Sequence, residues 1–324
     1  MKITHSVINR VDPNRTIRVL GAFAHERFDA NLAKIPNFEF YCLPIEHSRD
    51  WDERKAPFPE NYFLSSEQVL EYRDFDYVIC ENPLAHYPPL KHISKQYNLP
   101  IINIWHTNAP PGWTKQDWDN QPFANDTHVF ITKYNELIWT GQSGQHHVID
   151  HCIDTELFAT AEMLGKEREN TIFNMVNDFA NRGKEHGLTL FKHLTEGLPV
   201  KLLGDSPGIS APARNLEHLV EEVATSSIFL SSSLSSPLSM SILEAASCGL
   251  ALVLTSCSGN PDYFDDSNAF LFSPSRPQDG REYLVNLLQD KDMREEYGRK
   301  ARERVESLTT ERFTDKWQQI LRRR

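Results

Sequence analysis

The sequence predicts an α/β protein made of two Rossmann-like, doubly wound domains facing a cleft. Three observations carry that expectation. Short apolar runs rich in Val, Ile, Phe and Tyr alternate with longer polar, helix-like stretches along the chain. Several runs lack strict alternation, which suits strands of a parallel sheet covered by helices on both faces. The pattern stops at a polar stretch, Thr160–Glu169, and then restarts, so the 324 residues read as two βα arrays in series.

In the first array the strand candidates are Ile17–Phe23, Phe38–Pro44, Asp76–Cys80, Pro100–Trp105, His128–Thr132 and His147–Asp150. Most are bounded by Pro, Asn, Asp or Gly, and the intervals leave room for crossover helices. In the second they are Thr171–Val176, Val200–Leu203, Ile228–Ser231, Leu250–Thr255 and Ala269–Phe272, with helices expected over Gly187–Glu196, Leu216–Thr225, Pro237–Cys248 and Arg281–Leu288. A charged helical region runs from Lys291 to the end. Its last part carries Phe313, Trp317 and Ile320 at helical spacing, a stripe that wants a partner surface. The triple arginine at the end reads as a solvated, dipole-favoured terminus.

Composition narrows the classes. Hydrophobic residues make up 40% and charged residues 24%, an ordinary globular balance. No apolar run is long enough for a membrane span, and Met1–Arg18 has no apolar core, so a secretory signal is not expected. Five cysteines are scattered without a CxxC pair, which points away from a disulfide framework or a zinc site and toward a reducing, cytoplasmic setting. The net charge is −11 and both halves are acidic, so no broad surface attracts nucleic acid or anionic lipid.

The densest information lies in Ser231–Asn268, a strand end, a Ser-rich loop, a helix, a strand and a loop. Ser236 and Pro237 suit the N-cap and first position of the helix, and Gly249 suits its left-handed C′ position. The N–H groups at such a helix start are a ready anion site. Glu244 is the one charged residue on the helix.

Ser236–Leu252 resembles the donor-binding core of family 4 glycosyltransferases of the GT-B fold, which read E-P-F-G-x-x-x-x-E-A-M-A-C-G-x-P-V. Thr255, Gly259, Pro261 and Asp262 are similar to the family's T-x-x-G-G-x-P-E. Asn268–Pro274 resembles N-G-x-L-x-x-P, Met293–Ala301 resembles R-x-x-M-G-x-x-A-R, and Val148–Phe158 resembles V-I-x-N-G-V-D-x-x-x-F. Two positions depart from the pattern. The first motif glutamate is Ser236, and the glycine after the aromatic is Ser239.

The resemblance implies roles. Glu244 takes the place of the glutamate that binds the nucleotide ribose, as a two-oxygen acceptor for vicinal hydroxyls. Ser236 stands where a carboxylate contacts the donor sugar, which points to a different sugar, a displaced acidic contact or lost activity. Ser239, Met240 and Ser241, at the start of the helix, are assigned to donor binding. Arg182 and Lys184, after the Thr171–Val176 strand, are assigned to the charge that builds on the departing phosphate, against the alternative of a solvated loop pair. Gly204 ends a strand beside the base, or is an ordinary turn glycine.

In the N-terminal half, His106 follows the Pro100–Trp105 strand in a Pro-rich loop, where it either meets the transferred sugar or caps the loop. Gly21 and His25 fall in the loop where the family approaches donor and acceptor. Trp113 and Trp118 suit either sugar stacking or core packing. Asp74-Phe75-Asp76 and Asp117-Trp118-Asp119 are D-x-D triplets outside the matched pattern and read as turns and caps, so no catalytic metal is expected.

The implied protein has an acceptor-side domain over 1–158, a donor domain over 159–307 and a crossing-back helix over 308–324. It moves a sugar from a nucleotide-sugar, UDP- or GDP-linked, to a hydroxyl of a glycan or glycoconjugate with retention of configuration and no further cofactor. A modified nucleic-acid base as acceptor, a nucleotide-sugar epimerase or phosphorylase, and a non-catalytic binder are the alternatives.

Overall fold

The computed structural model describes residues 15–322 apart from Ala24, His47, Arg49, Tyr72, Thr140 and Gln142, so Met1–Asn14 and the last two arginines lie outside it. Two parallel sheets organise the chain. The first contains β1 (Ile17–Ala22), β2 (Phe38–Cys42), β3 (Tyr62–Leu64), β4 (Tyr77–Cys80), β5 (Ile101–Trp105), β6 (Thr127–Phe130) and β7 (Gln145–Val148), in the order β3-β2-β1-β4-β5-β6-β7. The second contains β8 (Ile172–Met175), β9 (Val200–Leu203), β10 (Ile228–Ser231), β11 (Ala251–Thr255) and β12 (Phe270–Phe272), in the order β12-β11-β10-β8-β9.

The strand orders explain where a site forms. Strand order reverses between β1 and β4 in one sheet and between β8 and β10 in the other. Crossover helices leave these strands on opposite faces, which opens a crevice beyond their carboxyl ends. The segments leaving β1, β4, β8 and β10 therefore supply both walls of the cleft.

The strands are buried as the apolar runs require. Val19, Leu20, Val78, Ile79, Ile104 and Trp105 are sealed in the first sheet, and Ile172, Phe229, Leu252 and Val253 in the second. The helices in chain order are α1 (Glu26–Leu32), α2 (Pro83–Tyr97), α3 (Lys115–Asp119), α4 (Lys133–Trp139), α5 (Gly183–His186), α6 (Leu188–Thr195), α7 (Leu216–Thr225), α8 (Met240–Ser247), α9 (Pro277–Gln289), α10 (Lys291–Val305) and α11 (Thr310–Leu321). Helix α11 packs on the first half. The Phe313 ring meets Phe28 edge-on at 5.8 Å, and Tyr77 Oη donates to the Leu321 carbonyl at 3.1 Å. Lys316 reaches Asp150 at 2.8 Å.

Three local differences from the sequence reading have physical causes. Strand β3 is a three-residue edge, too short for a periodic signal. The charged C-terminal region breaks into α10 and α11, because Thr309 caps a new helix by accepting the Arg312 N–H at 3.1 Å. Helix α8 starts at Met240 and not at Pro237, with Ser239 as N-cap in place of Ser236. Ser236 is held elsewhere. Its N–H donates to Ser258 Oγ at 3.2 Å and its carbonyl accepts from the Gly259 N–H at 3.4 Å. A Cβ at Gly259 would lie 1.5 Å from the Pro237 carbonyl oxygen, so glycine is what allows this approach.

Candidate active site

The carboxyl ends of the two sheets face a single cavity of about 570 Å³. Its C-terminal wall is built by three segments. Asn174–Asn177 leave β8, Gly204 and Asp205 leave β9, and the serine-rich loop leaving β10 leads into the start of α8. Ser231, Ser232, Ser233, Ser236, Ser239 and Ser241 all line the cleft. Ser239 Oγ bonds Ser241 Oγ at 2.6 Å and caps no backbone N–H, so the first amides of α8 remain as donors at the wall.

The other expected donor residues on this wall divide. Met240 lines the cleft, as do Arg182 and Gly204. Gly204 has φ of +131°, and a Cβ there would lie 2.1 Å from the Val176 carbonyl oxygen, so this glycine permits close packing of the β8 and β9 ends. Arg182 keeps a 3.5 Å contact with Glu185 and is otherwise exposed to the cleft. Lys184 is exposed and lies outside the cleft lining. The nearby side chain that does enter the lining is His186.

Glu244 differs most from its expected setting. Its side chain is wholly buried behind the lining, and Oε1 is bonded by the Arg27 guanidinium from α1 across the cleft. Oε2 is buried without a hydrogen-bond partner among the described residues. A buried carboxylate needs a counter-charge, and here the N-terminal half supplies it. Burial lowers the Arg27 guanidinium to about 10, with Glu26 acting against that shift, so the arginine is charged at neutral pH.

The N-terminal wall is assembled from the ends of β1, β4 and β5 and the segment after β7. His25, His106 and His151 come together in the cleft. The ring centroids of His25 and His106 are 5.0 Å apart, and His106 stacks on His151 at 6.1 Å. Burial pushes His106 well below the ordinary histidine range, and the neighbouring His25 and His151 act in the same direction. Burial likewise takes His151 down to about 3. Both are neutral imidazoles at neutral pH, suited to hydrogen bonding and not to carrying charge.

Carboxylates also gather on this wall. Glu81 follows β4, and Asp29 stands behind it on α1. Asp29 accepts from the His25 N–H at 3.2 Å and from Tyr62 Oη at 3.1 Å. Burial raises the Asp29 carboxyl to about 6, against its hydrogen bonds with Glu81, His25 and Tyr62. Lys55 bridges Glu26 at 3.0 Å and Asp52 at 3.5 Å. Arg27, Glu81 and Lys55 carry no motif in the sequence and only the strand order reveals them, whereas His151 lies inside the Val148–Phe158 string.

Three N-terminal candidates fall outside the cleft. Gly21 is inside β1, where a Cβ would lie 2.5 Å from the Ile79 carbonyl oxygen, so its part is steric. Trp113 packs edge-on against Trp139 at 5.2 Å and anchors the Pro-rich loop. Trp118 is fully buried and also belongs to the core. The D-x-D triplets have local partners. Asp117 makes the reciprocal cap of α3 with Thr114, and Asp76 takes Arg15 at 2.6 Å. Among the described residues no group of three His, Cys, Asp or Glu is placed to hold a metal, and no helix is long and apolar enough to cross a membrane.

Comparison with known proteins follows the same geometry. Residues 211–304, the part carrying α7, β10, α8, β11 and α10, match the family described as glycosyl transferases group 1. Sulfoquinovosyl transferase SQD2 of Arabidopsis thaliana is 30% identical over 325 aligned positions, covering 86% of this chain and 63% of the relative. The chain is similar to the family 4-like glycosyltransferases and has their GT-B fold. It spans less than two thirds of the length of that curated relative. Among solved structures, HepE of Anabaena in complex with UDP and glucose superposes on this glycosyltransferase homologue with a TM-score of 0.73 at 12% identity, over 96% of this chain and 100% of that one. Sucrose-phosphate synthase of Thermosynechococcus elongatus gives 0.69 at 14% identity, over 95% and 98%. At these identities the likeness is one of fold.

Proposed function

We propose that this chain transfers a sugar from a nucleotide-sugar to an acceptor hydroxyl with retention of configuration, the acceptor being a glycan or glycoconjugate. The observation that carries the reading is the single cleft. The amide-rich start of α8 and Arg182 lie on one wall, and neutral His106 and His151 lie on the other. The diphosphate meets the α8 amides, the serine hydroxyls and Arg182, which together stabilise the charge that develops on the leaving phosphate. His106 accepts or donates a hydrogen bond at the transferred sugar.

Glu244 binds the ribose through Oε2, the oxygen without a partner, on a movement that uncovers it while Arg27 holds Oε1. A front-face displacement assisted by the departing phosphate is the mechanism we favour, since it asks for no nucleophile from the protein. The donor is a UDP- or GDP-sugar, with Ser236 giving the sugar a hydroxyl contact where a carboxylate would give an acidic one. The relative named for sulfoquinovosyl transfer makes sugars with an acidic substituent worth including among the donors tried.

The test is a panel of UDP- and GDP-sugars incubated with the protein, with proton NMR of the released or transferred sugar. The reading expects one donor to be consumed and its anomeric configuration kept. Inverted product would overturn retention, and no consumption of any donor would favour a non-catalytic binder. A nucleotide-sugar epimerase or phosphorylase has one observation in its favour, the Glu81 carboxyl in the cleft with the Asp29 carboxyl behind it. Conversion of the donor to an epimer in the same spectra would identify it.

A further inference from the structure

The loop leaving β10 is fixed to α5 by more contacts than chain continuity requires. The N–H groups of Leu234 and Ser235 both donate to the Glu185 carbonyl, at 2.7 and 3.1 Å. Ser232 Oγ donates to the His186 carbonyl at 2.8 Å. Gly187, with φ of +68°, has its missing Cβ 2.1 Å from the Ser232 carbonyl oxygen, so any side chain there would push the two segments apart. The contact that this close approach creates is His186 Nδ1 to Ser233 Oγ at 2.7 Å. Both residues line the cleft, on the same wall as Arg182.

The direction of that hydrogen bond follows from the other ring nitrogen. His186 Nε2 is buried with no partner among the described residues. A neutral imidazole has one N–H. If Ser233 donated to Nδ1, the N–H would sit on Nε2 as a buried orphan donor, an arrangement rarer than an under-used acceptor. With the proton on Nδ1, His186 donates to Ser233 Oγ and Nε2 is a bare lone pair. The Ser233 hydroxyl hydrogen is then directed away from the imidazole and is available in the cleft.

We propose that Ser233 is a ligand of the donor diphosphate and that His186 is the positioning residue which makes the Ser233 hydroxyl donate toward it. The assignment rests on the proposed glycosyl-transfer reading and replaces Lys184, which lies outside the cleft lining. The ring acts in its neutral form. Burial lowers His186 to about 4, and Arg182 pushes the same way. Lys184 and Glu185 are the other charged groups on its helix. The facing loop, Ser231–Ser236, has no titratable side chain, and Cys257 stands behind it with its thiol on the Ser233 carbonyl at 3.3 Å.

Calorimetric titration of UDP, GDP and ADP, each beside its nucleoside, tests this on the whole chain. For the diphosphate that binds, Ser233→Ala and His186→Ala are each expected to weaken affinity about tenfold, within the range for a hydrogen bond to a charged group. The nucleoside should bind the variants as it binds the wild type. The double variant should be no weaker than either single one, since the two residues act as one unit. His186→Asn, whose amide N–H can stand in for Nδ1–H, should recover affinity to within about twofold of wild type, and the profile from pH 6 to 8 should match.

Unchanged diphosphate affinity in Ser233→Ala would overturn the assignment while leaving the functional reading standing. So would equal loss of nucleoside and diphosphate. Recovery by His186→Lys with none by His186→Asn would make the residue a cation and would also overturn it. If wild type binds no nucleotide at all, the functional reading fails and this assignment falls with it.

Discussion

The two walls of the cleft are made differently. The C-terminal wall comes from consecutive segments, and most of its lining lies between Ser231 and Ser241 and in the turns after β8 and β9. The N-terminal wall takes single residues from far apart in the chain: Arg27 on α1, Glu81 after β4, His106 after β5 and His151 after β7. A wall built from one loop and one helix start leaves a contiguous pattern that can be read in order. A wall built at a topological switch point leaves none, because strand order, and not spacing, decides which residues meet. A contact that ties the walls together, Arg27 to Glu244, has one partner in each class.

That contact gives the largest expected effect. Glu244→Ala removes a wholly buried carboxylate and leaves the partly buried Arg27 guanidinium without its counter-charge, and the expected cost is about 3 kcal/mol of stability. A paired replacement, Arg27→Met with Glu244→Met, should return most of that stability, since apolar residues of similar volume often substitute for a buried ion pair without loss. Nucleotide binding should stay lost in the pair. Chemical denaturation with and without nucleotide separates the two effects. Binding that survives in the paired variant would reduce Glu244 to a structural role.

Next is Gly259→Ala, which forces a side chain against the Pro237 carbonyl and displaces the loop that sets the start of α8. A loss of about 3 kcal/mol is expected, with weaker diphosphate binding and unchanged contacts on the N-terminal wall. Arg182→Ala should leave stability nearly untouched, as an exposed charge, and lower turnover about tenfold to a hundredfold with a smaller change in donor affinity. Steady-state rates on the donor found in the panel check this. Equal loss of rate and affinity would move Arg182 to ground-state binding.

Acid should discriminate between the halves. Burial holds His106, His128 and His151 neutral in the first half and His186 in the second. The unfolded chain binds a proton at each near pH 6.5 while the folded chain does not, so stability falls as pH drops below that value. The limiting slope is about 1.4 kcal/mol per pH unit for each such histidine, continuing down to the folded value of about 3 for His151. Thermal unfolding between pH 7 and 5 should show this decline, and His151→Asn should make it shallower. A flat profile would mean that these imidazoles reach water in solution.

Much of the fold was legible. Eleven apolar runs in two series mark eleven of the strands, and the edge strand β3 escaped because three residues cannot show a period. The C-terminal wall was legible from Ser236 to Gly249, including the C′ glycine at φ of +76°. What was misplaced there was the first turn of α8. Ser236 and Pro237 are good capping residues, but tertiary hydrogen bonds to Ser258 and Gly259 outweigh that local preference. Lys184 was assigned to the phosphates because an ammonium is the obvious partner, and His186, on the same short helix, is the residue that lines the cleft. On the other wall His25 and His106 could be found at strand ends. Arg27 gave no signal, being one charge on an ordinary polar helix.

The central claim is that the C-terminal wall is a nucleotide site completed by Glu244. Thermal unfolding against UDP, GDP, ADP and CMP tests it most directly. A ligand at a hundred times its dissociation constant stabilises by about 2.7 kcal/mol. The account predicts one nucleotide diphosphate to give a clear shift in wild type and none in the Arg27→Met, Glu244→Met pair. A flat response to all four in wild type, or an equal shift in the pair, would contradict it.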